Sequence, residues 1–221
     1  MNIKNNIAFF QNKFLSTACR LVAVSKTHSA EKILRAYQAG QRIFGENKVQ
    51  ELISKQALLP PDIEWHMIGH LQTNKVKQLV PFVSLIHSVD SVKLLEEIHK
   101  QGKKINRIIP CLLQVHIATE ETKFGFDETA LMELISSEKI SALDFVKVKG
   151  LMGMATFTIN TEQVRVEFRN LKNLFDKLKS RSLPSTMEMT ELSMGMSQDY
   201  KIAQEEGSTL VRIGSAIFGG R

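Results

Sequence analysis

The sequence predicts an α/β fold, a (β/α)8 TIM barrel that carries an extra N-terminal helix. Three observations point to it. Eight short apolar segments alternate with helical ones along the 221 residues, and strict alternation means parallel strands joined by crossover helices. No internal repeat, low-complexity run or Pro/Gly-rich linker interrupts the chain, so residues 1–221 are expected to form a single barrel domain. The polar, glycine-containing words fall at the carboxyl ends of the strand candidates, the edge where such barrels carry their sites. An open doubly wound sheet is the competing architecture and uses the same edge.

Residues 2–17 lack helix breakers and read as the extra helix. Leu21-Val22-Ala23-Val24-Ser25 is the first strand and runs into Lys26. Ser29 then caps a helix over residues 30–39, stopped by Gly40. Arg42-Ile43-Phe44 is a short strand before Gly45-Glu46-Asn47, and a helix follows to about residue 57. Residues 64–68 form a strand that opens into Gly69-His70 and a helix over 73–80. Residues 84–89 form another, after which Asp90 or Ser91 caps a helix to about residue 101. Residues 108–117 make a long strand in spite of Pro110, followed by a helix over 127–136. Residues 146–153 are a strand. Val164, Phe168, Leu171, Phe175 and Leu178 then share one face of a long helix over 161–180. A strand over 188–194, a helix over 198–206 ended by Gly207, and a strand over 209–213 complete the pattern.

Composition narrows the function classes. Hydrophobic residues at 43% and charged residues at 24% describe a soluble globular chain and exclude extensive disorder or a collagen-like repeat. Cys19 and Cys111 are too few for a disulfide scaffold or a multi-thiolate metal site, and they fit a reducing compartment. No segment approaches the roughly 20 apolar residues of a membrane span. Gln11, Asn12 and Lys13 break the N-terminal apolar patches before a signal-peptide core forms, so a cytoplasmic protein is expected. The net charge of +6 suits nucleic acid, anionic membrane or a phosphorylated small molecule. The lysines are dispersed, however, as on any solvated basic surface, and no nucleic-acid motif or aromatic stacking word accompanies them.

Lys26 is the first candidate for chemistry. A lysine closing an apolar strand sits at a largely dry barrel mouth, where desolvation favours the neutral amine that condenses with a carbonyl. The alternative is a side chain that snorkels into water. The second candidate is Leu192-Ser193-Met194-Gly195-Met196-Ser197 together with Val211-Arg212-Ile213-Gly214-Ser215. These words follow strands seven and eight, the usual phosphate position in such barrels. Gly195 and Gly214 allow close backbone approach, and Ser197 and Ser215 offer hydroxyls. Two ordinary βα turns would look the same, and Asp199 in the first turn of the helix after Ser197 is ordinary pairing with a helix dipole. Arg212 shares a strand face with Gly214 and points into the mouth, unless it pairs with a carboxylate such as Glu191. His66 and His70 read as strand-end polar groups. No third ligand stands at metal spacing, and no metal is expected.

These words together resemble the pyridoxal phosphate homeostasis proteins. The resemblance rests on Ala23-Val24-Ser25-Lys26-Thr27, Phe44-Gly45-Glu46-Asn47, the stretch from Trp65 through His70 to Lys75, and His87-Ser88-Val89-Asp90-Ser91. It also rests on the two Ser/Gly words above, the second continuing through Phe218-Gly219, and it runs in chain order from about residue 20. It implies an alanine racemase N-terminal-domain-like barrel. It implies that Lys26 holds pyridoxal 5′-phosphate as an aldimine, a Schiff base. It further implies that Ser197, Gly214 and Ser215 hold the phosphate, with Arg212 near the pyridine nitrogen and Asn47 near the ring. The implied role is vitamin B6 homeostasis, buffering and delivering the cofactor without established catalysis. The partners implied are pyridoxal phosphate, other B6 vitamers and pyridoxal-phosphate-dependent apoenzymes, with no nucleic acid, no membrane and a monomeric state. The chain departs from the family pattern at Lys48, where tyrosine is common, at His28, where a second lysine is frequent, and at His116, where asparagine is common; Lys123 matches the family's Glu-x-x-Lys-x-Gly stretch.

A pyridoxal-phosphate-dependent racemase is the alternative. Racemisation needs an acid/base group on each face of the substrate carbanion, and the chain's two tyrosines, Tyr37 and Tyr200, both fall in helices. Arg212 beside the ring would also weaken the electron sink, because a guanidinium cannot accept the pyridinium proton. A lysine-dependent aldolase acting on a sugar phosphate shares the lysine and the phosphate turn, but would be colourless.

Overall fold

The computed structural model describes residues 2–119 and 124–220. Eight strands close into a barrel in chain order, every neighbour pair parallel. They are β1 Arg20–Val24, β2 Ile43–Glu46, β3 Glu64–Met67, β4 Leu85–Val89, β5 Ile109–Gln114, β6 Val146–Met152, β7 Met187–Met196 and β8 Leu210–Ile213. The helices are α1 Ile3–Phe14, α2 Ala30–Gln38, α3 Val49–Gln56, α4 Val76–Leu79 and α5 Val92–Lys104, followed by α6 Glu128–Ser136, α7 Glu138–Ser141, α8 Thr161–Lys179, α9 Tyr200–Glu205 and α10 Ser215–Phe218. The predicted barrel is therefore the observed one.

Local chemistry sets the helix starts. Asn2, Ser29, Ser91, Asp127 and Asn160 each accept the backbone N–H three residues on, which satisfies one of the orphan donors of a first turn. The expected helix over 73–80 is a 3₁₀ turn, Thr73–Lys75, and then α4. Strand β5 ends at Gln114 and not at 117, because Val115 keeps only an isolated bridge to Phe126. Strand β7 runs to Met196, and α9 waits until Tyr200, because the Asp199 carboxylate accepts the Met196 N–H and forms a turn between them. The four-residue helices α7 and α10 are too short to show a period in the sequence.

Inside the barrel, Val22, Ile43, Leu85, Leu112, Met152 and Leu210 form an apolar layer. The outward faces of the strands pack under the helices as the main core. Helix α1 is tied to the end of the chain: the Asn6 side chain donates to the Ile217 carbonyl at 3.0 Å, and Phe10 and Phe14 pack edge-on to Tyr200 at 5.5 and 6.2 Å. No described helix is long and apolar enough to cross a membrane.

The predicted stripe of α8 is buried, with Phe168 fully enclosed. Truncating it leaves a large void. Phe168→Ala is expected to lower unfolding free energy by about 3–5 kcal/mol, measured as a reduced urea midpoint at unchanged m-value.

Candidate functional site

The six predicted site residues Lys26, Asn47, Ser197, Arg212, Gly214 and Ser215 all line one cavity of about 440 Å³ at the carboxyl ends of the strands. Barrel closure brings them together. Strands β1 and β8 pair in the register Ala23↔Ile213, so the segment after β1 lies beside the turn after β8. Gly214 fits there because a Cβ at this position would approach the Val24 carbonyl oxygen to 3.1 Å. The two serine turns also meet, the Gly214 N–H lying 3.4 Å from the Ser197 hydroxyl oxygen that accepts it. Gly195 holds φ +92° and has no room for a side chain, since a Cβ would come within 2.4 Å of Ala203. Ser215 is exposed and Ser197 half-buried, so both hydroxyls are open to a ligand.

Beneath the cavity floor a polar chain crosses the barrel interior. Arg212 is buried and donates through Nη1 to Ser193 Oγ and through Nη2 to the Gly153 carbonyl at 3.0 Å. Ser193 Oγ lies 2.9 Å from His87 Nδ1, and His87 Nε2 lies 2.9 Å from His66 Nδ1. Arginine can only donate. Ser193 therefore accepts from Arg212 and passes its own proton toward His87 Nδ1, and His87 donates from Nε2 to His66. This direction requires neutral imidazoles. Burial pushes His66 down to about 3. Burial, and then the neighbouring His66 and Arg212, hold His87 well below the usual histidine range. Burial also lowers Arg212 to about 10, which leaves it cationic at neutral pH.

Two expectations are corrected here. Glu191 is not the partner of Arg212; it pairs with Arg20 at the opposite end of the barrel. His66 is not a strand-end group, because strand alternation turns it inward between Trp65 and Met67. His70 is at the rim, with Nδ1 at 3.0 Å from Asp90 Oδ2 and its ring stacked on Phe124. His28 lines the cavity and lies against Phe218, and burial lowers its pKa. Lys48 is exposed at the start of α3, and His116 is half-buried with its N–H on the Phe126 carbonyl. Lys123 lies outside the described residues.

His87 and Ser193 are members of the polar chain that sequence reasoning missed. Their signal is a polar residue inside an apolar strand, Ser193 between Leu192 and Met194, and His87 after Ile86 and beside Ser88. Also missed is the cavity wall formed by Met154, Thr156 and Thr158. Glu167 of α8 holds that wall by accepting the Thr156 N–H and hydroxyl, each at 2.7 Å.

The family model for the alanine racemase N-terminal domain matches residues 1–221. A pyridoxal phosphate homeostasis protein of Aquifex aeolicus is 44% identical over 203 residues, 91% of this chain and 87% of that protein. The Homo sapiens protein of the same name is 42% identical over 216 residues, 91% of this chain and 76% of that one. Among solved structures, PipY of Synechococcus elongatus with PLP bound gives a TM-score of 0.88 at 37% identity, covering 98% of this chain and 100% of that one. Alanine racemase of Bartonella henselae gives 0.75 at 18% identity, covering 99% of this chain and 61% of the other, a likeness of fold alone.

The two buried imidazoles make stability depend on pH. The unfolded chain takes up protons below about pH 6.5 that the folded barrel refuses, so each histidine removes about 1.4 kcal/mol per pH unit below that point. Stability is complete above about 6.5 and falls as pH drops toward 3, the folded-state value of His66. Thermal unfolding from pH 7.5 to 4.5 should show this decline. A His66→Asn/His87→Asn double variant should flatten it.

Proposed function

The chain belongs to the pyridoxal phosphate homeostasis protein family, and on that premise we propose that it binds pyridoxal 5′-phosphate through Lys26 and buffers and delivers it without turnover of its own. The observation that carries the proposal is the convergence of a strand-end lysine, two serine/glycine turns and a buried arginine on one cavity. The donor set fits the cofactor. Arg212 donates to two neutral acceptors among the described residues, with Asp199 the carboxylate that acts on it through space, and a buried cation without a hydrogen-bonded counter-charge is costly. An anionic ligand in the cavity supplies that charge. PipY, whose solved structure contains PLP, supports the same reading.

The roles follow from residue chemistry. When bound, the cofactor supplies an aldehyde that condenses with an amine and a ring that absorbs visible light. Lys26 provides the amine. Ser197, Ser215 and the Gly214 amide donate to the phosphate, and Asn47 flanks the ring. Arg212 faces the pyridine nitrogen as a donor, so that nitrogen carries no proton and the ring is a weak electron sink. Neither tyrosine offers a base on the second face. Tyr37 donates to Asp62 at 2.7 Å, and Tyr200 is packed among Phe10 and Phe14. This favours a carrier over a racemase. In this reading the protein works as a cytoplasmic monomer of one domain, takes other B6 vitamers, and passes cofactor to apoenzymes.

The test is an absorbance scan of purified protein with pyridoxal phosphate before and after borohydride, then mapping of the modified peptide. The label is expected on Lys26, and Lys26→Ala should lose it while keeping its circular dichroism. A preparation that stays colourless, or a label on another lysine, would remove the proposal. Ser197→Ala/Ser215→Ala should weaken retention by roughly 1–3 kcal/mol, the scale of charge-assisted bonds; unchanged affinity would place the phosphate elsewhere. Alanine and serine should not be racemised at ordinary enzyme rates.

A further inference from the structure

The strand end that carries Lys26 is gripped from behind by a buried charge cluster that the cavity does not include. Ser25 is fully buried. Its hydroxyl donates to Glu46 Oε1 at 2.5 Å, and its carbonyl accepts from Lys55 Nζ at 2.8 Å. Lys55 Nζ also donates to Glu46 Oε1 at 2.7 Å and to Glu51 Oε1 at 2.6 Å. On the other side of Lys26, the Thr27 N–H donates to Glu51 Oε1 at 2.5 Å. Thr27 sits at φ 67°, a left-handed conformation that a β-branched residue adopts only where its surroundings impose it.

Both neighbours of Lys26 are thus pinned by three side chains from β2 and α3. The ion pair at the centre is deeply buried, with side-chain exposure of 7% for Lys55 and 0% for Glu46. Glu46 Oε2 has no hydrogen-bond partner among the described residues, and burial raises its carboxyl pKa against the pull of Lys55 and Ser25. Such a pair adds little to stability compared with an apolar pair of the same volume. What the cluster does supply is a fixed direction, since Lys55 holds the Ser25 carbonyl and Glu51 holds the Thr27 N–H on either side of one lysine.

We propose that Glu46, Glu51 and Lys55 are positioning residues that hold the backbone of residues 25–27 so that the Lys26 amine meets the carbonyl carbon of an aldehyde ligand. The proposal rests on the assignment of Lys26 above. In the condensation the lysine nitrogen replaces the aldehyde oxygen, which leaves as water. The reaction depends on orientation, and a misplacement of about 1 Å costs up to about a hundredfold.

The test compares two ligands on four proteins. Pyridoxal phosphate condenses with an amine; pyridoxine phosphate has the same ring and phosphate but an alcohol, and does not. Glu51→Ala removes the acceptor of the Thr27 N–H, while Glu51→Gln keeps a side-chain carbonyl there. Glu51 is partly exposed, at 23%, so both variants are expected to fold. Glu51→Ala should slow borohydride-fixable labelling of Lys26 and weaken pyridoxal phosphate binding by about tenfold, while pyridoxine phosphate binding stays within about twofold. Glu51→Gln should recover most of the loss. Equal losses for both ligands would mean a generally deformed cavity and would overturn the proposal, as would no loss for either. A Glu46→Gln/Lys55→Met variant, free of the buried charges, should show the same split between ligands once circular dichroism confirms its fold; an unaltered aldehyde affinity there would likewise count against the clamp. If the unaltered protein takes no label on Lys26, the underlying assignment fails before any variant is made.

Discussion

The site depends on one pairing, that of the first strand with the last. Parallel strands have no tight hairpin to align them, so register comes from which faces are buried. Here Leu21↔Val211 and Ala23↔Ile213 fix it, with each of these side chains packed under the helices. A one-residue slip of β1 would turn Leu21 and Ala23 into the barrel and expel Val22, and the same slip of β8 would turn in Val211 and Ile213 and expel Arg212. With the register held, the lysine beyond β1 and the glycine-serine turn beyond β8 face a common cavity. Residues nearly two hundred positions apart become neighbours because two apolar faces must stay dry.

The interior changes character along the barrel axis. One layer is aliphatic. Nearer the cavity, His66, His87, Ser193 and Arg212 replace hydrocarbon with hydrogen bonds. Such a layer is worthwhile only when every member is satisfied, because low dielectric strengthens made bonds and penalises unmade ones alike. The single direction of donation from Arg212 to His66 meets that demand without a second charge. It also holds the guanidinium beneath the cavity as a fixed donor, while loop residues above can adjust.

Much of this was legible in the sequence. Alternation of apolar segments and helices predicted the barrel, and the serine/glycine words at two late strand ends located part of the cavity lining. Arg212 was readable because it stands two residues before Gly214 on the same strand. Ser193 carried the same signature, a polar residue flanked by apolar ones, and His87 stood beside Ser88 in an otherwise apolar strand, but such patterns also occur at edges that face water. Glu46, Glu51 and Lys55 left no such mark. Glu51 and Lys55 look like an exposed i,i+4 helix pair, and only the packing of α3 against the end of β1 buries the lysine. Glu46 sat inside a word that was noticed for its neighbours Gly45 and Asn47. Partner choice in three dimensions is what the sequence lacked, as the exchange of Glu191 for Ser193 at Arg212 illustrates.

The bond from Asn6 to Ile217 spans 211 positions, and it carries a consequence for biosynthesis. Translation delivers α1 and β1 first and α10 last. Until β8 leaves the ribosome, β1 has one open edge, and Phe10 and Phe14 lack Tyr200 for most of that interval. The nascent molecule holds the segment after β1 early but acquires the turn after β8 nearly two hundred residues later. The cavity between them therefore forms only once β8 has paired with β1, and a chain halted before β8 would carry most of the barrel with that cavity unclosed.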